Sequence, residues 1–216
     1  MRGIYLVTGR GLCGPRPLEE IVLQAVDGGV AYVQLREKDV STRFFVQEAK
    51  RIKKLLSSYK IPLIINDRID VALACGADGV HIGQEDMPYA IVRKLMGPKA
   101  IIGLSVEDWG DVEESQKLDV DYIGVSPVFP TPTKTDTKGA WGLSGLAKIK
   151  AFSRHQLVAI GGINESNARE VIAAGADCIA VVSAICSAPD PDAATRNLKS
   201  IIDASIINAI HNEKMV

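Results

Sequence analysis

At 216 residues, with 47% hydrophobic but only 5% aromatic side chains, the chain can bury an aliphatic core without disulfides or a structural metal. Its net charge of −1 creates no global field that would recruit nucleic acid or an anionic membrane, so any anion site must be built locally. The cysteines Cys13, Cys75, Cys178 and Cys186 lack C-x-x-C spacing, no apolar stretch approaches the roughly 20 residues of a membrane span, and Met1 runs straight into a strand without a signal h-region. Together these features predict a cytoplasmic protein with reduced thiols.

Apolar runs followed by helical patterns recur along the whole chain. Strands are predicted at Ile4–Thr8, Tyr32–Arg36, Leu63–Asn66, Gly79–Ile82, Ile101–Ser105, Tyr122–Ser126, Leu157–Ile160 and Cys178–Val182. Several are introduced by a similar phrase, a helix end or glycine turn followed by an acidic or small residue: Asp27-Gly28-Gly29, Cys75-Gly76-Ala77-Asp78, Leu118-Asp119-Val120-Asp121 and Gly175-Ala176-Asp177. Between strands, Ser41 to Ser58 reads as an amphipathic helix capped by Ser41, with Phe44, Phe45, Ala49, Ile52, Leu55 and Leu56 on its apolar face. Asn164 similarly precedes a helix predicted to end at Gly175. Eight strands alternating with helices and right-handed crossovers close most simply into one α/β domain over 1–216, a (β/α)8 TIM barrel of parallel strands whose tail frays beyond Asn208. An open doubly wound sheet is the weaker alternative, because no G-x-G-x-x-G follows the first strand.

A barrel of this kind carries its chemistry where the strands end. The second strand ends Gln34-Leu35-Arg36-Glu37-Lys38, and period-two alternation puts Gln34, Arg36 and Lys38 on one side. A solvated charge run is the competing explanation. The third strand ends Asn66-Asp67-Arg68 and the loop after the fourth carries Gln84-Glu85-Asp86. Asp67 could otherwise cap the next helix, and Asp86 could be a turn residue before Pro88. Together, the two carboxylates beside Lys and Arg form the arrangement that holds Mg²⁺ bridging phosphate oxygens. After the sixth strand, the segment from Ser126 to Gly139 mixes prolines, hydroxyls and lysines in the manner of a binding loop, with disorder as the alternative. Gly161-Gly162-Ile163-Asn164 closes the seventh strand and Val182-Ser183-Ala184-Ile185 the eighth. These are the positions where barrels often hold a phosphate on backbone N–H groups, although a tight turn alone would also explain Gly161-Gly162. Two anion sites on one rim imply two phosphorylated substrates.

At this point the residues resemble a known family. Over nearly its whole length the chain is similar to the thiamin phosphate synthases, through Tyr5-Leu6-Val7-Thr8, Gln34-Leu35-Arg36-Glu37-Lys38, Asn66-Asp67-Arg68, Gly79-Val80-His81-Ile82-Gly83-Gln84-Glu85-Asp86, Gly103-Leu104-Ser105, Pro127-Val128-Phe129-Pro130-Thr131, Thr133-Lys134, Gly161-Gly162-Ile163 and Ser183-Ala184-Ile185. Ser126 departs from the pattern, where glycine is common. The resemblance implies a transferase that couples 4-amino-2-methyl-5-(diphosphooxymethyl)pyrimidine to 4-methyl-5-(2-phosphooxyethyl)thiazole, giving thiamin phosphate and diphosphate by a dissociative, Mg²⁺-dependent step. It further implies Mg²⁺ on Asp67 and Asp86, and Arg36, Lys38, Asn66 and Lys134 on the diphosphate. Gln34 and Ser105 would contact the pyrimidine, with Arg36, Lys38, Ser105 and Lys134 acting in catalysis. Thr131, Thr133, Gly162, Val182 and Ser183 would hold the thiazole phosphate. His81, inside an apolar strand, reads as a satisfied structural imidazole and is placed outside the site.

Two rival functions remain. A related thiazole tautomerase would need a proton-transferring histidine after the sixth strand, where this chain has Ser126-Pro127-Val128-Phe129. A non-catalytic phosphate-binding barrel would have no use for Asp67, Asp86 and Lys134 together. The expected partners are two small phosphorylated heterocyclic substrates, with no nucleic acid and no membrane.

Overall fold

The computed structural model describes residues 1–131 and 139–213, with side chains described as far as residue 205. In chain order the elements are β1 (Gly3–Val7), α1 (Leu18–Gly28), β2 (Tyr32–Leu35), α2 (Thr42–Tyr59), β3 (Leu63–Asn66), α3 (Ile69–Cys75), β4 (Gly79–Ile82), α4 (Tyr89–Met96), β5 (Ile101–Val106), α5 (Trp109–Ser115), β6 (Tyr122–Val125), α6 (Gly142–Phe152), β7 (Gln156–Ile160), α7 (Ala168–Ala173), β8 (Cys178–Val181), α8 (Ser183–Cys186) and α9 (Pro191–Glu213). The strands pair in parallel in sequence order, and β8 closes on β1 through Ile4 opposite Ile179 and Tyr5 opposite Ala180. This is the expected closed (β/α)8 barrel. Among the described residues no helix is long and apolar enough to cross a membrane.

Strand alternation divides the core in two. Residues of one parity, including Leu6, Val33, Leu35, Leu63, Ile65 and Val80, pack outward against the helices. Those of the other, including Tyr5, Val7, Ile64, Tyr122, Val158, Cys178 and Ala180, fill the barrel interior. Tyrosines inside the barrel need room, and glycines on neighbouring strands supply it. A Cβ on Gly103 would lie 2.0 Å from Tyr122 Cζ, and one on Gly124 would lie 3.0 Å from His81 Cε1.

The recurring acidic residue before alternate strands has a physical role at the N-terminal rim. Asp78, Asp121 and Asp177 each accept a backbone N–H at the start of the preceding strand, from the first residue of β3, Leu63, at 2.7 Å, and from the second residues of β5 and β7, Ile102 at 2.8 Å and Leu157 at 2.9 Å. Each is also paired with a cation from the helix that leads into that preceding strand, namely Lys53 of α2, Arg93 of α4 and Lys150 of α6. The carboxylates thereby satisfy strand-edge donors and tie helix to barrel at the face opposite the expected site. Glycines also terminate helices before strands: Gly29 at φ 100° after α1 and Gly76 at φ 66° after α3 are left-handed caps.

Two local expectations differ from the structure. Val182 to Ile185 reads as a loop in sequence but contains the four-residue helix α8, which is too short to show a period. The helix expected directly after Asn164 begins at Ala168 with Asn167 in the cap position, because Asn164 instead organises a preceding turn, its carbonyl accepting from the N–H groups of Asn167 and Ala168. Ser41 caps α2 as expected, accepting from Phe44 N–H at 3.3 Å. All four cysteines are free thiols.

Candidate active site

The C-terminal ends of β2, β3 and β4 converge on two carboxylates and a lysine. Asp67 follows β3 in a left-handed conformation, φ 61°, which a short polar side chain tolerates better than most. Its N–H donates to the His81 carbonyl at 2.8 Å, pinning the turn to β4. From there its carboxylate accepts the Lys38 ammonium at 2.5 Å. Asp86 reaches the same place from the turn after β4 and accepts Gly83 N–H at 2.7 Å, so it is a turn residue and a site residue at once. Burial raises the Asp86 carboxyl, and the adjoining Asp67 carboxylate raises it further, against the opposing pull of the Gly83 N–H. Asp67 does not cap α3: Arg68 occupies the cap position, and its guanidinium turns away to Asp70 and Thr42.

Parity after β2 is as the sequence implies. Glu37 faces away, paired with Arg10 at 2.9 Å, and Arg10 also pairs with the buried Glu48. Gln34 is buried inside the barrel and Arg36 is half-buried at its mouth, its N–H donating to the buried Thr8 hydroxyl at 3.0 Å. Asn66 is buried at the end of β3. Ser105 stands near the end of β5 with its carbonyl held by Gln84 Nε2 at 2.7 Å. The structure therefore brings Gln34, Arg36, Lys38, Asn66, Asp67, Asp86 and Ser105 to the mouth formed by β2 to β5.

A second cluster occupies the same rim at β7 and β8. The segment after β6 runs beside the end of β7, with Val128 N–H on the Ile160 carbonyl at 2.8 Å and Phe129 N–H on the Gly161 carbonyl at 3.1 Å. This brings Thr131 toward the turn of Gly161 (φ 104°) and Gly162 (φ 65°). The Gly162 carbonyl is held by Asn167 Nδ2 at 2.9 Å. A Cβ at Gly162 would lie 2.8 Å from Phe129 Cβ and 3.0 Å from the Pro130 carbonyl, so the glycine is required by close packing as well as by its φ. Val182 caps the short α8 and Ser183 is its first residue; the Val182 carbonyl accepts from the N–H groups of Ile185 and Cys186. Thr133 and Lys134 lie outside the described residues.

Sequence reasoning separated His81 from the site, and the structure joins them. His81 is indeed satisfied, with Nδ1 at 3.0 Å from the Tyr122 hydroxyl, but its Nε2 is 2.8 Å from Ser105 Oγ. Tyr122 meets Tyr5 at 2.9 Å, and Tyr5 accepts from Gln34 Nε2 at 3.0 Å. Gly103 and Gly124 inside strands, opposite large polar rings, are the sequence signal that could have revealed this contact.

Comparison with known proteins identifies the family carrying this rim. The sequence profile of thiamine monophosphate synthase matches residues 4–185. The chain belongs to the thiamine monophosphate synthase family. A thiamine-phosphate synthase of Albidiferax ferrireducens is 56% identical over 201 residues, covering 93% of this chain and 92% of the relative. One from Leptospira biflexa is 53% identical, covering 93% and 97%. The solved structure of a thiamine phosphate pyrophosphorylase from Pyrococcus furiosus superposes with a TM-score of 0.86 at 39% identity, covering 94% of this chain and 96% of that one. The rim clusters of the synthase family member described here thus span the region that the family profile matches.

Proposed function

We propose that this member of the thiamine monophosphate synthase family joins the pyrimidine carried on a methylene diphosphate to the thiazole phosphate, releasing diphosphate, as a transferase of thiamin biosynthesis. The observation that carries this reading is the pairing of Asp67 and Asp86 beside Lys38 on the same rim as the Gly161-Gly162 turn and α8. That pairing supplies two anion-binding regions of different chemistry.

The donor set suits Mg²⁺. Two adjoining carboxylates beside a lysine invite a hard cation. This matches an ion that takes one or two carboxylates and completes its octahedron with phosphate oxygens and water. Bound on Asp67 and Asp86, Mg²⁺ would neutralise charge on the diphosphate. The chain's own contribution is positioning and electrostatics. Arg36, Lys38 and Asn66, with Lys134 added by the family resemblance, meet the charge that grows on the leaving diphosphate, and no protein nucleophile is required. Gln34 and Ser105 orient the pyrimidine, while Thr131, Gly162, Val182 and Ser183, with Thr133, hold the thiazole phosphate so that its nitrogen faces the carbon losing diphosphate. The reading carries a cytoplasmic setting with it, which the four free thiols support.

Calorimetric titration tests the two-site basis. The pyrimidine diphosphate should bind in a Mg²⁺-dependent manner and the thiazole phosphate without regard to Mg²⁺. Mutual exclusion of the two ligands, or equal Mg²⁺ dependence for both, would overturn it.

A further inference from the structure

We propose that Tyr5, Tyr122 and His81 are positioning residues that form a one-directional hydrogen-bond relay between Gln34 and Ser105, fixing Gln34 as an acceptor and Ser105 as a donor toward the pyrimidine. The inference rests on the assignment of Gln34 and Ser105 to the pyrimidine half-site made above.

Proton counting supports the direction. Gln34 Nε2 can only donate, and it donates to the Tyr5 hydroxyl at 3.0 Å. Tyr5 and Tyr122 are 1% and 0% exposed, and burial pushes both phenols up, so each keeps its single proton. With one lone pair taken by Gln34, Tyr5 satisfies its own proton by donating to Tyr122, 2.9 Å away. Tyr122 then donates to His81 Nδ1 at 3.0 Å. A neutral imidazole that accepts at Nδ1 carries its proton on Nε2, and Nε2 donates to Ser105 Oγ at 2.8 Å. The Ser105 proton is left to point away from His81, toward a ligand lone pair. At the other end, committing Nε2 to Tyr5 leaves Gln34 Oε1 as the acceptor for a ligand N–H.

Any partial reversal either strands a buried phenolic proton at Tyr5 or leaves the Tyr5 and Tyr122 hydroxyl oxygens, 2.9 Å apart, with no proton between them. Complete reversal requires the Gln34 amide to turn over and every proton along the chain to move, which would make Gln34 a donor and Ser105 an acceptor. The two ends are thereby tied to opposite polarity, one donor and one acceptor. A 4-aminopyrimidine edge offers the complementary pair, an exocyclic N–H beside a ring lone pair. The barrel is shaped to admit the relay: the glycines at Gly103 and Gly124 leave the space that the Tyr122 phenol and the His81 ring occupy, and His81 stacks on Tyr122 with ring centroids 5.5 Å apart.

Imidazole ¹⁵N spectra of the full-length protein test this, with His81 assigned by comparison with His81→Gln. The expected result is a neutral ring with the proton on Nε2, collapsing to mixed tautomers in Tyr122→Phe. That variant should also lose at least tenfold in kcat/KM for the pyrimidine diphosphate, with KM for the thiazole phosphate unchanged. Tyr5→Phe should give the same split should Tyr122→Phe fail to fold. A proton on Nδ1 in the wild type, or a Tyr122→Phe protein with unaltered tautomer and unaltered kcat/KM, would overturn the relay. The tautomer is read without substrate, so a wrong tautomer refutes the relay whatever the reaction, whereas absent coupling activity with the expected tautomer would refute only the reaction assignment.

Discussion

Replacing Gly162 by alanine should damage use of the thiazole phosphate and spare use of the pyrimidine diphosphate. The residue holds φ 65°, where an L side chain costs about 1–2 kcal/mol. The added Cβ would sit 2.8 Å from Phe129 Cβ and 3.0 Å from the Pro130 carbonyl, so the turn or the segment after β6 must shift, at about 1–3 kcal/mol for an overpacked contact. If the turn keeps its shape, this total of about 2–5 kcal/mol is lost from stability. If the turn relaxes, its N–H groups move off the phosphate. Only about 1.4 kcal/mol felt in the phosphate-bound state gives a tenfold rise in KM for the thiazole phosphate. Steady-state kinetics varying each substrate in turn, with thermal unfolding of the same preparation, separate the two components. A similar rise in both KM values, or no change in either KM or Tm, would refute the packing argument.

Other outcomes follow from the same rim. Arg36→Ala should show the converse pattern, raising KM or lowering kcat for the pyrimidine diphosphate while leaving thiazole phosphate binding within about twofold by calorimetry. Asp67→Asn and Asp86→Asn should each lower kcat by roughly 10²–10³, the loss typical of one preorganised electrostatic group, and shift the Mg²⁺ titration, with thiazole phosphate affinity retained; unchanged Mg²⁺ response in both would remove the metal assignment. Asp177→Ala, at the opposite rim, strands Leu157 N–H and unpairs Lys150. Denaturant unfolding should show a loss of about 1–3 kcal/mol with kcat preserved, and a fall in kcat without a fall in stability would contradict its placement.

The barrel was legible because buried parallel strands are short β-branched runs with sharp ends. Leu63–Asn66 and Gly79–Ile82 match the structure residue for residue, and the other strands differ by a single residue at their ends. The carboxylate side of the site was legible for a related reason: strand-end position is nearly one-dimensional information, and Arg36, Lys38, Asp67 and Asp86 fall where β2, β3 and β4 stop. What the sequence did not reveal depends on contacts across strands. Tyr5, Tyr122 and His81 lie 117 and 41 residues apart along the relay, and no local pattern marks them as neighbours. The left-handed conformation of Asp67 was equally hidden, since it follows from closing β3 onto β4 and not from any turn motif. Backbone phosphate sites share the difficulty, because Gly161-Gly162 reads the same whether it serves a turn or a ligand.

The stoichiometry of a single reaction mixture bears most directly on whether this rim joins two phosphorylated heterocycles. With the pyrimidine diphosphate, the thiazole phosphate and Mg²⁺ all present, thiamin phosphate and diphosphate should appear in a one-to-one ratio. Omission of the thiazole phosphate or chelation of Mg²⁺ should abolish thiamin phosphate formation. Failure to form thiamin phosphate from the complete mixture, by protein shown to be folded and to bind both substrates, would contradict the assignment.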